Sequence, residues 1–221
     1  MPGLRLTRID VTNPAPPRLL LASASPRRFQ LLDQIALTPD DVVATSIDET
    51  PRNRERPRVC VERMAREKAD AARRIVAHDA SRAQSVILAA DTVVALGARI
   101  LPKTETVEEA AACLRMLSGR AHRVYTSVVV QLPSGRQGQR LVEARVRFKR
   151  ISAEELDAYL ASGEWRGKAG GYAIQGIAGA FVTKLIGSYS AVVGLPLYET
   201  AALLAGLGYP VHLNWLTPRS V

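Results

Sequence analysis

Residues 19–32, LLLASASPRRFQLL, decide how the rest of the chain is arranged. The four apolar residues Leu19 to Ala22 suit a buried strand, and Phe29, Leu31, Leu32 and Ile35 then recur with helical spacing. Ser25 stands where an N-cap is needed. Pro26 takes the first helical position, where its missing N–H costs nothing. The order is strand, tight turn, helix, so the free N–H groups and the positive dipole end of the helix face the turn Ser23 to Ser25. Arg27 and Arg28 fall in the first helical turn, where acids are usually favoured. Two cations there repel the dipole and each other, which an anion held between them would explain; the alternative is a capped helix whose arginines point to water.

A chain of 221 residues can bury a substantial core, and one α/β domain or two closely joined lobes fit this length. Pro2, Pro14, Pro16 and Pro17, with little periodicity around them, mark residues 1–17 as a loose arm ahead of a single domain over 18–221. The net charge of +9 favours anionic partners: nucleotides, nucleic acid or acidic surfaces. Nucleic acid is disfavoured by the 5% aromatic content and the lack of a recognisable binding module. Two cysteines, Cys60 and Cys113, make neither a disulfide framework nor a zinc pattern, and the three histidines are in no ligand spacing. Any metal would then be a hard ion on carboxylates. No signal-like segment or bilayer-length apolar run is present, which predicts a cytoplasmic protein without membrane partners.

Outward from the opening stretch, Asp41 to Ala44 predicts a short strand leading to Asp48-Glu49-Thr50, and Pro51 to Pro57 predicts a loop. Residues 58–77 are patterned as a helix, with Val61, Met64, Ala65, Ala72, Ile75 and Val76 on or near one face and Arg63, Arg66, Arg73 and Arg74 mostly off it. Lys68 lies close to the apolar side. It either snorkels to water or delivers a cation into a cleft. Ser85 to Ala90 predicts a buried strand that ends in Asp91-Thr92 before Val93, Val94 and Ala95 resume the pattern. An acid in so apolar a stretch is expensive to bury unless it is paired, hydrogen-bonded or bound to a cation, so Asp91 is a candidate for chemistry, the alternative being a loop brace.

Thr106 to Glu109 and Ser152 to Glu155 have capping-box spacing and open helices ending near Leu117 and Gly163. A long hairpin is predicted from Val124 to Leu132 and Val142 to Ile151, and a last helix runs from Pro196 to a stop at Gly206 or Gly208. The stretch Gly167 to Phe181 has too many glycines for a regular element and lets backbone approach a ligand. Gln175 within it reads the polar edge of a small molecule or braces its own loop.

Seven motifs in order, ASASPRR (22–28), DET (48–50), REKA (66–69), AADTVV (89–94), MLSG (116–119), KAGGYAIQG (168–176) and GSYSAVVGLPL (187–197), resemble the Maf family of nucleoside triphosphate pyrophosphatases. The resemblance spans nearly the whole chain beyond the arm. It implies an α/β fold similar to the inosine triphosphate pyrophosphatases, a mixed twisted sheet flanked by helices, with two lobes around a cleft and usually a homodimer. The implied reaction is hydrolysis of a nucleoside triphosphate to the monophosphate and pyrophosphate with a divalent metal. ADT and KAG-Y-IQG resemble the subgroup acting on dTTP and UTP, as opposed to 7-methyl-GTP. A link to restraint of cell division and to removal of modified nucleotides is also implied. Two departures, Thr104 after Pro102-Lys103 where the family commonly has proline, and Gly167 where it often has aspartate, bear on local loop geometry.

Resemblance and residue chemistry together suggest one mechanism. Cleavage between the α and β phosphates requires cations that balance charge on the phosphoryl oxygens. Arg28, Lys68 and Lys103 are expected in that role beside Arg27, with Ser23, Ser25 and the helix N-terminus on phosphate oxygens. Glu49 and Asp91 are the carboxylates for Mg²⁺ or Mn²⁺, and Asp91 is also the candidate for orienting or deprotonating the water. Gln175 is the candidate reader of a pyrimidine, helped by backbone atoms freed by Ala169, Gly170, Gly171 and Ala173. Arg28 is expected to serve phosphate binding with little effect on stability. The competing reading is a non-catalytic nucleotide sensor or nucleic-acid-binding regulator of cell division.

Overall fold

The computed structural model describes residues 17–216, so nearly all of the expected arm, residues 1–16, lies outside the described residues. Leu19–Ala22 forms β1, fully buried, and Pro26–Gln34 forms α1. A short β2, Asp41–Val42, lies parallel to β1, and the crossover helix α2, Pro57–Val76, leads to β3, Val86–Leu96. Parallel β1 and β3 pair from Leu19 opposite Val86 to Ala22 opposite Ala89. A parallel pair needs such a crossover, and the apolar run of each strand fits burial on both faces.

After β4, Arg99–Leu101, and β5, Lys103–Thr104, come α3, Val107–Leu117, and the hairpin β6, Ala121–Gln131, with β7, Gln137–Phe148. Then follow α4, Ala153–Ser162; β8, Lys168–Ala169; a 3₁₀ turn, Ile177–Phe181; β9, Val182–Ile186; α5, Tyr189–Val193; α6, Leu197–Gly206; and a second 3₁₀ turn, Val211–Leu216. The main sheet runs β2-β1-β3-β6-β7-β9, with β4 beside β3, and is antiparallel beyond β3; β5 and β8 pair separately. This is the mixed sheet flanked by helices that the resemblance implies.

Alternation along β3 sends Ile87 and Ala89 to one face and Leu88, Ala90 and Val94 to the other. The first face packs on α2 through Ala65, Ala69 and Ala72, whose small side chains let the helix lie close to the sheet. The second packs on α1, α3, α4 and α6 in the larger core. Each fully buried Leu contributes about 2 kcal/mol of apolar transfer, and Leu19, Leu20 and Leu21 of β1 are all buried.

Both capping boxes form: Thr106 accepts from the Glu109 N–H and Ser152 from the Glu155 N–H. Several local expectations need correction. Ser25 holds the N-cap position of α1, yet its side chain makes no cap hydrogen bond. Phe29 and Ile75, placed with the apolar faces of their helices, are exposed. Arg63, placed off the buried face of α2, is buried because Glu55 and Glu67 pair with it, Glu55 at 2.8 Å and Glu67 at 3.0 Å. Its guanidinium also donates to the Thr50 carbonyl at 3.2 Å and so holds the loop that carries Glu49. The glycine-rich stretch contains two regular pieces, β8 and the first 3₁₀ turn, and α5 lies in a segment where no helix was expected.

Candidate active site

Asp91 continues the face of β3 that carries Ile87 and Ala89, two residues beyond the partner of the last residue of β1. β1 has ended there and turned into α1, so β3, still paired with β6 through Asp91 opposite Ser127, is open on the side that β1 has left. Asp91 is 2% exposed. The facing seam of α2 runs Val61, Ala65, Lys68, Ala72, Val76, all buried, and Lys68 is its single cation. The Lys68 ammonium donates to Asp91 Oδ1 and lies 2.8 Å from Glu49 Oε1. Glu49 Oε2 also receives Lys103, from β5. Desolvation raises the Glu49 pKa, but the charges and hydrogen bonds of Lys68 and Lys103 outweigh it and hold the carboxyl at about 2. Lys68 therefore does not snorkel to water but sets its cation between two carboxylates, and Lys103, Glu49, Lys68 and Asp91 form one chain of alternating charge.

The other face of β3 organises the arginine. Arg28 is buried; it donates through Nε to the Gly194 carbonyl at 2.8 Å, through Nη1 to Ser23 Oγ at 3.2 Å and through Nη2 to Thr92 Oγ1 at 3.4 Å. Thr92 Oγ1 lies 2.9 Å from Thr126 Oγ1, which donates to the Ala191 carbonyl at 2.7 Å. Burial lowers the Arg28 pKa, and the nearby charges of Asp91 and Glu49 oppose that shift. Ser23 Oγ also accepts from the Ser25 N–H at 3.1 Å, which closes the turn before α1. Arg28 thus ties α1, β3 and the 191–194 segment together, a structural task absent from the sequence expectation. Arg27 is half-buried, and its pKa is lowered by desolvation and then by Arg28.

A cleft of about 670 Å³ opens on these residues. One wall carries Ser25, Arg27, Arg28, Asp91, Thr92 and Lys103; the other is the segment 163–176, with Glu164, Lys168, Tyr172 and Gln175. Ser23, Glu49 and Lys68 lie behind the first wall, joined to it by the bonds above. Pairing of Lys103 with Ala169 and Thr104 with Lys168 binds the two walls at one end. Gln175 is exposed to the cleft at the third position of a β-turn closed by the Gly176 N–H on the Ala173 carbonyl at 3.1 Å.

The expected backbone contribution to base reading is corrected at two positions. Gly170 donates its N–H to the Pro102 carbonyl at 2.9 Å and Gly171 to the Lys168 carbonyl at 3.0 Å, so neither amide is free for a ligand. Gly170 has φ +68° and packs its Cα against Val94, where a Cβ would be crowded; glycine serves close packing there. Thr92, Glu164, Lys168 and Tyr172 line the cleft without having been singled out in the sequence. Thr92 had a signal, its position next to Asp91. Glu164 had none beyond following a helix stop.

Among the described residues no three or more His, Cys, Asp or Glu side chains converge to hold a metal by themselves. Glu49 and Asp91 nevertheless converge on one ammonium, so two hard-oxygen carboxylates are within reach of a shared cation. That donor set fits Mg²⁺ or Mn²⁺, which bind through one or two carboxylates and take their other ligands from phosphate and water.

The family described as Maf-like protein matches residues 18–207. The chain belongs to the Maf family. A dTTP/UTP pyrophosphatase from a Chelativorans species is 61% identical over 201 residues, covering 91% of this chain and 96% of its own. One from Rhodopseudomonas palustris is 58% identical over 200 residues, covering 90% and 97%. Among solved structures, a nucleoside-triphosphatase/dITP/XTP pyrophosphatase from Mycobacterium abscessus aligns over 90% of this chain and 98% of its own, with 15% identity and a TM-score of 0.41. A likeness that loose says nothing about activity. Within the Maf family the motifs read from the sequence thus come together in space: DET, REKA and ADT at the charged end, KAGGYAIQG across the cleft.

Proposed function

We propose that this Maf protein hydrolyses nucleoside triphosphates, dTTP and UTP foremost, to the monophosphate and pyrophosphate. The observation that carries the proposal is the buried Asp91, set mid-strand on Lys68 and facing a cleft rimmed by Arg27, Arg28 and Lys103. Its relatives named dTTP/UTP pyrophosphatase support the same substrate. The turn at Ser25, the start of α1, Arg27 and Lys103 hold phosphate oxygens, and Arg28 and Ser23 keep that turn in shape. Lys68 passes between Asp91 and Glu49, balancing whichever carboxylate is uncompensated. Asp91 accepts the proton of the attacking water or orients it. Glu49 and Asp91 would hold a divalent cation, which when bound neutralises phosphate charge and acidifies water. Gln175 offers a donor and an acceptor to the carbonyl and N–H edge of thymine or uracil.

The Maf resemblance also supports a homodimer, and Tyr198, 80% exposed on α6, and Tyr189 on α5 offer apolar surface for it. A cytoplasmic location, expected from the sequence, is part of this proposal; separately, no helix among the described residues is long and apolar enough to cross a membrane. The alternative of a non-catalytic sensor gains no observation of its own. Steady-state kcat/KM for dTTP, UTP, ATP, GTP and 7-methyl-GTP, with Mg²⁺ or Mn²⁺ and then with chelator, tests the proposal. Pyrimidine turnover that stops on chelation is expected. No pyrophosphate from any nucleotide would contradict it.

A further inference from the structure

Glu164 follows the C-terminus of α4, where Gly163 adopts a left-handed conformation, and it lines the cleft opposite the arginines. Both carboxylate oxygens are engaged on the same short segment. Oε2 accepts the Ile177 N–H at 2.8 Å, and Oε1 accepts the Tyr159 hydroxyl at 3.2 Å and the Ala178 N–H at 3.4 Å. Tyr159 is itself buried in the main core, so the acid connects that core to the backbone just after Gln175. Gly176 lies between them. A Cβ added there would overlap the Glu164 carboxylate, so the absence of a side chain at 176 is what lets the acid reach the two amides.

Gln175 stands at the third position of the turn from Ala173 to Gly176, and Ile177 is the next residue out. Among the described residues the Gln175 amide has no hydrogen-bond partner, so what the fold fixes is the backbone turn from which the amide reaches. A base-reading amide needs its support fixed within a fraction of an ångström. On one side the turn is fixed by its own hydrogen bond and the buried Tyr172 to Ile174; on the other side the fixation comes through Glu164.

We propose that Glu164 is a positioning residue for base recognition: by holding the Ile177 and Ala178 amides, its carboxylate aims Gln175 at the base. This rests on the reading of Gln175 as the base contact. The competing role, a brace for the 3₁₀ turn with no bearing on the substrate, would move stability alone.

The test is steady-state kinetics with dTTP and GTP on Glu164→Ala, Glu164→Gln, Gly176→Ala, Gln175→Ala and the double variant Glu164→Ala/Gln175→Ala, with thermal melts on each. Glu164→Ala is expected to lower the dTTP:GTP ratio of kcat/KM about tenfold, the scale of one well-made hydrogen bond, and through KM for dTTP more than through kcat. Glu164→Gln keeps an acceptor for the Ile177 N–H and should recover much of the ratio. Gly176→Ala pushes the carboxylate away while leaving the acid in the chain, and should reproduce Glu164→Ala even if that variant folds poorly. The double variant should discriminate no worse than Gln175→Ala, because both changes remove one function. If Gln175→Ala collapses the ratio while Glu164→Ala and Gly176→Ala leave it intact, or lower the melting temperature with both nucleotides equally affected, the positioning role is overturned and the base reading stands. If Gln175→Ala itself leaves the ratio unchanged, the base reading falls and takes this role with it.

Discussion

At one end of the cleft Asp91 and Lys68 hang from β3 and α2, both long and largely buried, and Arg28 from the shorter α1, and each finds its partner outside its own element. At the other end Gln175 stands on a β-turn between a two-residue strand and a 3₁₀ turn, held by backbone bonds and one acid. The charged end cannot shift without breaking the sheet or unpairing a buried ion, which costs several kcal/mol. The base end can be remodelled by changing a loop. That division suits a phosphate chemistry common to every nucleotide beside a contact that chooses among bases.

The largest effect should separate the two ends completely. Asp91→Asn removes one charge from the buried pair and is expected to lower kcat with dTTP by about a thousandfold, while the Kd of a non-hydrolysable analogue changes far less. Near-normal turnover in the folded variant would break the comparison at its charged end.

Behind the base end, His122 is buried against Phe148 and Tyr172, with Nε2 2.8 Å from the Tyr172 hydroxyl and Nδ1 unpartnered. Desolvation lowers its pKa from 6.5 to about 4. The unfolded chain therefore binds a proton in this window that the native state refuses, so stability is lost as pH falls from 6.5 towards 4. Full protonation of the unfolded His would cost on the order of 3 kcal/mol. Chemical denaturation at pH 7 and pH 4.5 should show the loss, and His122→Phe should flatten it. An unchanged slope would show that this wall of the base end is not held by a neutral histidine.

Arg28→Ala sharpens the comparison. Because Arg28 bonds to Gly194, Ser23 and Thr92, its loss should lower unfolding free energy by about 2 kcal/mol as well as weaken triphosphate binding. Denaturant titration without nucleotide checks this. Unchanged stability would return Arg28 to the purely ligand-facing role expected from sequence.

The smallest effect belongs to the turn. Gln175→Ala should cut the preference for dTTP over GTP about tenfold, with kcat on the preferred substrate largely kept. Collapse of turnover with every nucleotide would mean that the two ends are not separable.

What the sequence made legible follows the range of the interactions. The strand–turn–helix of residues 19–34, both capping boxes and the long hairpin are local, and each signal lies within a few residues of its effect. Asp91 was conspicuous because an acid within an apolar run is costly wherever the chain folds. Lys68 remained ambiguous because its partners are Glu49 and Asp91, 23 residues away in the latter case. Arg63 differs: Glu55 and Glu67 are only eight and four residues away, but its burial depends on the loop carrying Thr50 and Glu55 folding back onto α2. The bracing role of Arg28 depends on a carbonyl 166 residues distant. Glu164 sits in an unremarkable post-helix position and acquires meaning only when residues 176–178 fold over it.

The most direct test of the whole account is to follow dTTP with this protein and Mg²⁺ by ³¹P NMR, beside Asp91→Asn. Equal amounts of dTMP and pyrophosphate, with almost none from the variant, are expected. Formation of dTDP and orthophosphate, or equal turnover by the variant, would contradict cleavage between the α and β phosphates at this cleft.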